Sequence, residues 1–190
     1  KVGAMEMDCV SKKDIRSLFS SSQVVYNLGA DEIDIGPENF VIYQGSHGDN
    51  GANRADVIFP GAAYTEESGI FVNTEGRSQI AKKASFPPGE AKENWTILRV
   101  LSRYLGFEMD FKDLHELRLK MFSKHPFLQK FDQAFPSEVL EFEDFKIKEG
   151  IFLKNRFENF YNTNPIARAS VVLNKMYKHS LNQKKTFAAE

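Results

Sequence analysis

A glycine-rich loop is the part of the sequence whose residue types come nearest to ligand chemistry. Its small and polar residues follow one another without a break: Gly45, Ser46, His47, Gly48, Asp49, Asn50 and Gly51. A loop of this kind at the carboxyl end of a parallel strand lets backbone N–H groups approach an anion. It contains no Gly-Lys-Ser/Thr of a Walker motif, and it does not match GxGxxG. A tight structural turn is the favoured interpretation, and ligand cradling is the alternative.

His47 and Asp49 are the candidates for acid–base or metal chemistry within this loop. A spacing of two residues in a loop fixes no geometry between the two side chains. The other histidines lie far along the chain, on or beside predicted helices: His115, His125 and His179. The sequence has no HExxH motif, and Ser46 does not lie in GxSxG. We therefore expect no catalytic residue, no cofactor-binding residue and no metal ligand in this chain.

Cys9 is the single cysteine of the chain. One cysteine excludes an internal disulfide, and it excludes zinc or iron–sulfur sites built from four cysteines. A lone cysteine also fits a reducing compartment. We expect Cys9 to be a small, nearly buried side chain, with a reactive thiol as the alternative.

The composition limits the kinds of partner. Apolar residues make up 42% and charged residues 27% of the chain, which is typical of a folded globular protein. The net charge of -1 gives no overall attraction to nucleic acid or to anionic lipid. No stretch of 18 consecutive apolar residues is present. From the charge we therefore expect no nucleic-acid binding, and from the absence of such a stretch we expect no direct membrane insertion.

Three short apolar runs must position the loop. Residues 23–28, 40–43 and 57–59 are compact β-branched and aromatic runs that end in glycine or proline. Near-continuous apolar strands separated by helix or loop predict a buried parallel sheet. The first third of the chain therefore reads as the closing part of a Rossmann-like layer. A helix over 11–20, capped by Ser11, is predicted before it.

A hairpin and several helices are predicted after the sheet. Residues 69–73 and 77–81 flank a short turn with Gly76 at the position that favours positive φ. The predicted helices run over 90–105, from Asp110, from Pro126, and from Asn164-Pro165 to His179. Residues 134–155 are predicted to be extended, and the polar tail 182–190 to be frayed. The fold class is thus α/β: a partial parallel sheet, a β-hairpin and a mainly helical C-terminal part.

Arg77 is the most informative charged residue of the hairpin. Glu66 and Glu75 lie on either side of the turn, and a guanidinium can pair with a carboxylate through two hydrogen bonds. We predict that Arg77 pairs with Glu66 or Glu75 and fixes the turn, rather than taking part in chemistry.

Nine residues around this hairpin carry a family resemblance. They are Asp56, Pro60, Glu66, Gly69, Asn73, Glu75, Gly76, Arg77 and Gln79. In this order they resemble the motif of the molybdopterin oxidoreductase superfamily, and the helix from Trp95 to Gly106 resembles its next landmark. Ile70 departs from the motif, which usually has threonine there, and this suggests a lost polar contact. The resemblance also raises the alternative that Arg77 once faced a bound pterin phosphate.

One branch of that superfamily is closer. The segments 26–32, 44–53, 87–93 and 164–170 resemble the large iron–sulfur subunit of respiratory NADH:quinone oxidoreductase, complex I. The resemblance implies residues 1–106 as the C-terminal part of an α/β domain and 107–190 as a mostly helical extension. Because the chain starts at Lys1, we expect a fragment, a processed chain or a trimmed sequence.

The resemblance implies a structural and assembly role rather than catalysis by this segment. The branch keeps the fold without molybdenum, and its iron–sulfur clusters are expected in a preceding N-terminal region. The implied partners are the rest of the same subunit and neighbouring peripheral-arm subunits. The implied location is the matrix side of the inner mitochondrial membrane or the cytoplasmic face of a bacterial inner membrane. The alternatives are a fragment of an active, formate dehydrogenase-like molybdopterin enzyme and a free-standing Rossmann-type binding module.

Overall fold

A computed structural model describes residues 2–133 and 160–187 of the chain. These residues form two compact units. The first comprises residues 2–46 and 50–133, and the second comprises residues 47–49 and 160–187. Nowhere in the described ranges is there a helix with the length and apolar character needed to cross a membrane. The domain boundary expected at residue 106 stays a prediction.

The secondary structure follows the predicted order. The strands are β1 (Val24–Leu28), β2 (Phe40–Gly45), β3 (Val57–Pro60), β4 (Gly69–Val72) and β5 (Ser78–Ala81). The helices are α1 (Val2–Glu6), α2 (Ile15–Ser20), α3 (Asn50–Arg54), α4 (Asn94–Tyr104), α5 (Leu114–Lys124), α6 (Pro165–Ala169) and α7 (Val171–Phe187). Single 3-10 turns span Pro126–Gln129 and Phe160–Asn162.

The predicted parallel sheet is confirmed. Strands β1, β2 and β3 are adjacent in that order, and both pairs are parallel. On one face, Asn27 and Tyr43 are opposite each other and are buried together with Val41. Helix α3 contacts β2. The alternation of side chains places Tyr43 on the face opposite to that of Gln44.

The predicted hairpin is confirmed as well. Strands β4 and β5 pair antiparallel, and Gly76 has a φ of 81° in the turn between them. The Asn73 Oδ1 atom accepts hydrogen bonds from the backbone N–H groups of Glu75 (2.9 Å) and Arg77 (3.0 Å). Asn73 therefore orders the turn through its side chain, as such residues commonly do.

Three helices begin later than predicted, and in two of them a different residue caps the first turn. Helix α2 begins after Asp14, whose carboxylate accepts the N–H groups of Arg16 and Ser17, so Ser11 is not its cap. Helix α5 is capped in the same way by Asp113 rather than by Asp110. Helix α4 begins at Asn94 instead of residue 90. Its end is as predicted, with Gly106 at a φ of 80° directly after the last turn.

The helix predicted from Pro165 to His179 is broken in the second unit. Ser170 has a ψ of 118° and ends α6, and its hydroxyl oxygen then accepts the N–H of Leu173 in the first turn of α7. Helix α7 continues to Phe187, so the prediction of a frayed tail from residue 182 is wrong up to that point. The predicted extended stretch 134–155, with all of its phenylalanines, lies outside the described residues.

Candidate functional site

The ligand position at the carboxyl ends of β1 and β2 is filled by side chains of the chain itself. Asp31 is only 2% exposed. Its Oδ1 atom accepts the N–H of Gly51 at 3.1 Å, and its Oδ2 atom accepts the Tyr43 hydroxyl at 3.2 Å. Gly51 is in the first turn of α3, so the Asp31 carboxylate occupies the place where such a turn receives an anion.

The glycines of the loop make room for these two side chains. A Cβ atom at Gly51 would lie 2.6 Å from Asp31 Oδ1 and 2.7 Å from the Tyr43 ring. A Cβ atom at Gly45 would overlap the Tyr43 hydroxyl. A phosphate-bearing cofactor at this position would have to displace the Asp31 carboxylate, so the residues present do not fit one there.

The candidate residues His47 and Asp49 of the loop belong to the second unit. There the Arg168 Nε atom donates to Asp49 Oδ2, and Nη1 donates to the Asn162 carbonyl at 3.2 Å. The Asn174 amide donates to the Arg168 carbonyl at 2.5 Å. Asp49 is therefore part of a structural network around α6. Across the described ranges, no group of three or more His, Cys, Asp and Glu side chains is placed to hold a metal ion.

A second buried network joins the sheet to the start of α4. Gln44 is 0% exposed, and its Nε2 atom donates to Asn94 Oδ1 at 2.7 Å. The Tyr26 hydroxyl donates to Gln44 Oε1 at 2.5 Å, and burial raises the Tyr26 pKa. Asn94 Nδ2 in turn donates to Glu67 Oε1 at 2.7 Å. A chain of hydrogen-bonded polar side chains thus crosses an otherwise apolar face of the sheet. Because Asn94 is both a member of this chain and the first residue of α4, the chain fixes where the helix starts.

Two carboxylates meet the first turn of α4. Glu67 Oε2 accepts the Asn94 N–H at 2.9 Å, and Glu93 accepts hydrogen bonds from Lys83 Nζ (2.9 Å) and from the Trp95 indole (2.8 Å). Burial acts to raise the pKa of Glu93, but the bonds from Lys83 and Trp95 bring it below its ordinary value. Negative charge at this end of a helix is favourable.

The motif residues that flank β3 hold backbone in place. Asp56 exchanges two hydrogen bonds with Val41: its side chain accepts the Val41 N–H at 2.7 Å, and its own N–H reaches the Val41 carbonyl at 2.8 Å. The carbonyl of Pro60 accepts the N–H of Lys92 at 3.1 Å. Glu66 accepts the N–H of Ala63 at 3.0 Å, so it caps a turn and does not pair with Arg77.

Arg77 forms the predicted ion pair with Glu75, but its shorter contact is to another segment. The guanidinium lies 3.4 Å from the Glu75 carboxylate, with 35% and 63% of the two side chains exposed. Its Nη1 atom donates to the Asp132 carbonyl at 2.7 Å, and Gln79 Nε2 donates to Asp132 Oδ1 at 3.0 Å. Arg77 and Gln79 therefore hold the hairpin to the turn around Asp132, which has a φ of 58°.

Arg77→Ala is expected to lower the free energy of unfolding by only about 1 kcal/mol, because a solvent-exposed ion pair contributes little and one hydrogen bond is lost. A partly buried pair would have cost more. Urea unfolding of the variant against the parent chain measures the change. Arg77→Lys is the control, because it keeps the charge and removes the forked geometry. A loss several times larger would mean that Arg77 holds more than the hairpin.

An open apolar groove lies between the end of β3 and α4. It has a volume of about 670 Å³. Apolar and aromatic side chains form most of its wall: Phe59, Pro60, Ile97, Val100, Leu101 and Tyr104. Val100 is 52% and Tyr104 is 86% exposed, and Leu105 and Phe107, which follow α4 in the chain, are exposed as well. An apolar surface of this kind on a protein usually marks a contact with another element or chain.

Sequence reasoning missed the residues that fill and brace the site. Asp31 and Gly51 are twenty positions apart, and Gln44 and Asn94 are fifty apart, so no local pattern connects them. A glutamine at the end of an apolar strand was the only signal in the sequence for the second network. The prediction that Cys9 is nearly buried is wrong, since the residue is exposed. Its thiol donates to the Met7 carbonyl, with 3.4 Å between the sulfur and the oxygen.

Comparison with known proteins places these features in a family. Residues 1–104 match the model of the molybdopterin oxidoreductase family. Residues 143–176 match a second model, described as the C-terminal part of the G subunit of NADH-ubiquinone oxidoreductase. The first match covers more than half of the chain and includes the sheet, the glycine-rich loop, the hairpin and α4.

Several curated relatives are similar over most of the chain. The mitochondrial NADH-ubiquinone oxidoreductase 78 kDa subunit of Candida albicans is 44% identical over 82% of the chain and 24% of its own length. The 75 kDa subunit of Reclinomonas americana is 39% identical over 92% of the chain, and the NADH-quinone oxidoreductase G subunit of Rickettsia typhi is 37% identical over 90%. In both, 26% of the relative is covered, so the chain spans about a quarter of the length of these relatives. The chain belongs to the molybdopterin oxidoreductase family, and within it resembles the large subunits of NADH-quinone oxidoreductase.

Proposed function

We propose that this chain forms a structural part of the large iron–sulfur subunit of a respiratory NADH:quinone oxidoreductase. The observation that carries the proposal is the Asp31 carboxylate, bound by Gly51 and Tyr43 at the position where open α/β sheets receive ligands. The names of the relatives support the assignment to this enzyme. The chain's contribution is then to position other parts of the complex rather than to carry electrons.

We also propose that this segment binds neither molybdenum nor an iron–sulfur cluster. The Asp31 carboxylate at the ligand position supports the absence of a molybdenum cofactor. The single Cys9 is exposed and cannot by itself hold a cluster. Electrons in the complex would pass through clusters bound by cysteines elsewhere in the subunit. This chain supplies no ligand to them and acts only through its packing.

The partners we propose are the rest of the same subunit and neighbouring subunits of the peripheral arm. The exposed apolar groove beside α4 supports this, because a free-standing binding module would leave it in water. The complex would face the matrix at the inner mitochondrial membrane or the cytoplasm at a bacterial inner membrane. An active formate dehydrogenase-like enzyme is the less favoured function, since the relatives described above are NADH dehydrogenase subunits.

The proposal is tested by isolating the native polypeptide that contains this chain from its membranes. With a tag on the polypeptide, we expect a multisubunit complex that oxidises NADH with a quinone acceptor and contains iron but no stoichiometric molybdenum. A tagged variant, Asp31→Ala, is expected to reduce the amount of assembled complex and to leave the turnover of each assembled complex nearly unchanged. The reason is that the Asp31 carboxylate is bound by groups of the polypeptide itself.

Three results would contradict the proposal. Purification of the polypeptide without other respiratory subunits would favour a free-standing module. About one molybdenum per polypeptide would favour an active molybdopterin enzyme. Normal assembly of the Asp31→Ala variant with a large loss of NADH oxidation per complex would mean that this position takes part in the reaction.

A further inference from the structure

Asn50 and Gly51 form the only Asn-Gly pair in the sequence. In such a pair the backbone nitrogen of the glycine can attack the side-chain carbonyl carbon of the asparagine, because glycine has no side chain that hinders the approach. The new C–N bond closes a cyclic imide, and the side-chain amide leaves as ammonia. The glycine nitrogen loses its proton in this step, and the departing amide takes one up. Water then opens the ring to aspartate or isoaspartate.

The packing around α3 keeps this pair chemically reactive. A Cβ atom at Gly51 would overlap the Asp31 carboxylate and the Tyr43 ring, so no residue with a side chain fits there. Asn50 is exposed, so ammonia can leave and water can reach the side chain. The glycine that makes room for Asp31 therefore also leaves Asn50 open to attack by the next backbone nitrogen.

The nitrogen that must react is bound by Asp31. The Gly51 N–H donates to Asp31 Oδ1 at 3.1 Å in a buried hydrogen bond, and the Tyr43 hydroxyl fixes the same carboxylate through Oδ2. Loss of the Gly51 proton would create a negative charge beside this carboxylate, and like charges repel strongly where water is excluded. Helix α3 also fixes the backbone of Asn50 and Gly51. The nitrogen can attack only when this contact opens locally.

We propose that Asn50 is a deamidation site that the Asp31 carboxylate keeps inactive while the loop is closed. Conversion is irreversible and damages the loop. An aspartate at position 50 adds a negative charge directly before the N–H that binds Asp31, and an isoaspartate lengthens the backbone at the first residue of α3. Chains in which the loop has not closed are converted first. This inference goes beyond the proposed function and does not rest on it, because the chemistry involves only residues of this chain.

The test measures deamidation of Asn50 in the native polypeptide within its complex. After incubation at a fixed pH and temperature, mass spectrometry of the digested polypeptide gives the fraction of Asn50 that has become aspartate or isoaspartate. A synthetic peptide of residues 46–54 gives the rate in an open chain. We expect the folded polypeptide to react at least about tenfold more slowly than the peptide, because the reaction waits for local opening.

Three variants separate the Asp31 contact from general stability. Asp31→Ala is expected to raise the rate about tenfold, toward that of the peptide, because the Gly51 N–H loses its charged acceptor. Tyr43→Phe removes only the hydroxyl that fixes Asp31, so it should raise the rate less, and it decides the test if Asp31→Ala does not fold. Asn94→Ala is the control, because it removes a hydrogen-bonded side chain elsewhere in the same unit. Its rate should stay within about twofold of the parent.

The proposal is supported if the parent reacts slowly and Asp31→Ala or Tyr43→Phe reacts faster, while Asn94→Ala does not. Equal rates in the folded polypeptide and the peptide overturn it. A faster rate in the folded polypeptide also overturns it, because Asp31 would then act as a base that promotes the reaction. If Asn94→Ala raises the rate as much as the other variants do, conversion follows general unfolding and Asp31 has no particular role. If neither Asp31→Ala nor Tyr43→Phe raises the rate, the helix alone protects Asn50, and the proposal is wrong.

Discussion

Replacing Gly51 by alanine is expected to lower the free energy of unfolding by about 2–4 kcal/mol, since an added methyl group in a packed site and a broken buried hydrogen bond both cost stability. The new Cβ would lie 2.6 Å from Asp31 Oδ1 and 2.7 Å from Tyr43 Cε2. Neither neighbour has space to move, because the Asp31 carboxylate is held by Tyr43 and both residues are buried. Either the carboxylate leaves the Gly51 N–H, or the ring of Tyr43 leaves its place on β2.

The loop provides a matched control three residues away. A Cβ atom at Gly48 would meet no atom within 4 Å, and Gly48 is not in the positive-φ region. Gly48→Ala should therefore stay within about 1 kcal/mol of the parent, and any gain would arise because alanine has fewer unfolded conformations. Urea unfolding of the two variants, followed by tryptophan fluorescence of Trp95, measures the difference. Equal stability of the two variants would mean that the loop does not enclose Asp31 as described.

The sheet and the hairpin were predictable because their signals are local. The apolar runs that became β1, β2 and β3 end at residues that break strands, and Gly76 is the turn residue that a hairpin with positive φ requires. The helix starts were less predictable, because several side chains can compete for the same N–H groups. Asp14 and Asp113 accept hydrogen bonds from those N–H groups. Ser11 and Asp110 lie three residues earlier, and their side-chain oxygens are also suited to capping a helix.

The candidate site was predictable only in part. The glycine-rich loop indicated a close approach of backbone to some group, and a tight turn was favoured. That the group is the carboxylate of Asp31 depends on a contact across twenty residues, which only the folded sheet brings together. The break at Ser170 was also not predictable from the sequence. The Ser170 backbone leaves the helical conformation and ends α6, and its hydroxyl caps the next helix, α7.

Asn94→Ala is expected to destabilise the first unit by about 2–3 kcal/mol, because buried polar groups lose their partners. The Nε2 atom of Gln44 would keep only its longer bond, to the Asn94 carbonyl at 3.2 Å, and Glu67 would lose the bond from Asn94 Nδ2. Gln44 has no access to water that would replace these bonds, since it is 0% exposed. Helix α4 would then lose the side chain that anchors its start to the sheet.

A double-mutant cycle separates this effect from a general loss of packing. Gln44→Leu alone removes the amide and leaves Asn94 Oδ1 without the hydrogen bond that it accepts from Gln44, so it should also be destabilising. The double variant should be less destabilised than the sum of the two, with a coupling of about 1–2 kcal/mol, because contacting partners do not act independently. Asn73→Ala in the exposed hairpin turn is the control, and it should be additive with Gln44→Leu since the two residues share no hydrogen bond. If the effects of the Gln44 and Asn94 variants are instead additive, α4 is held in place by its apolar contacts alone. The hydrogen bonds from Tyr26 to Glu67 would then satisfy buried polar groups without positioning the helix.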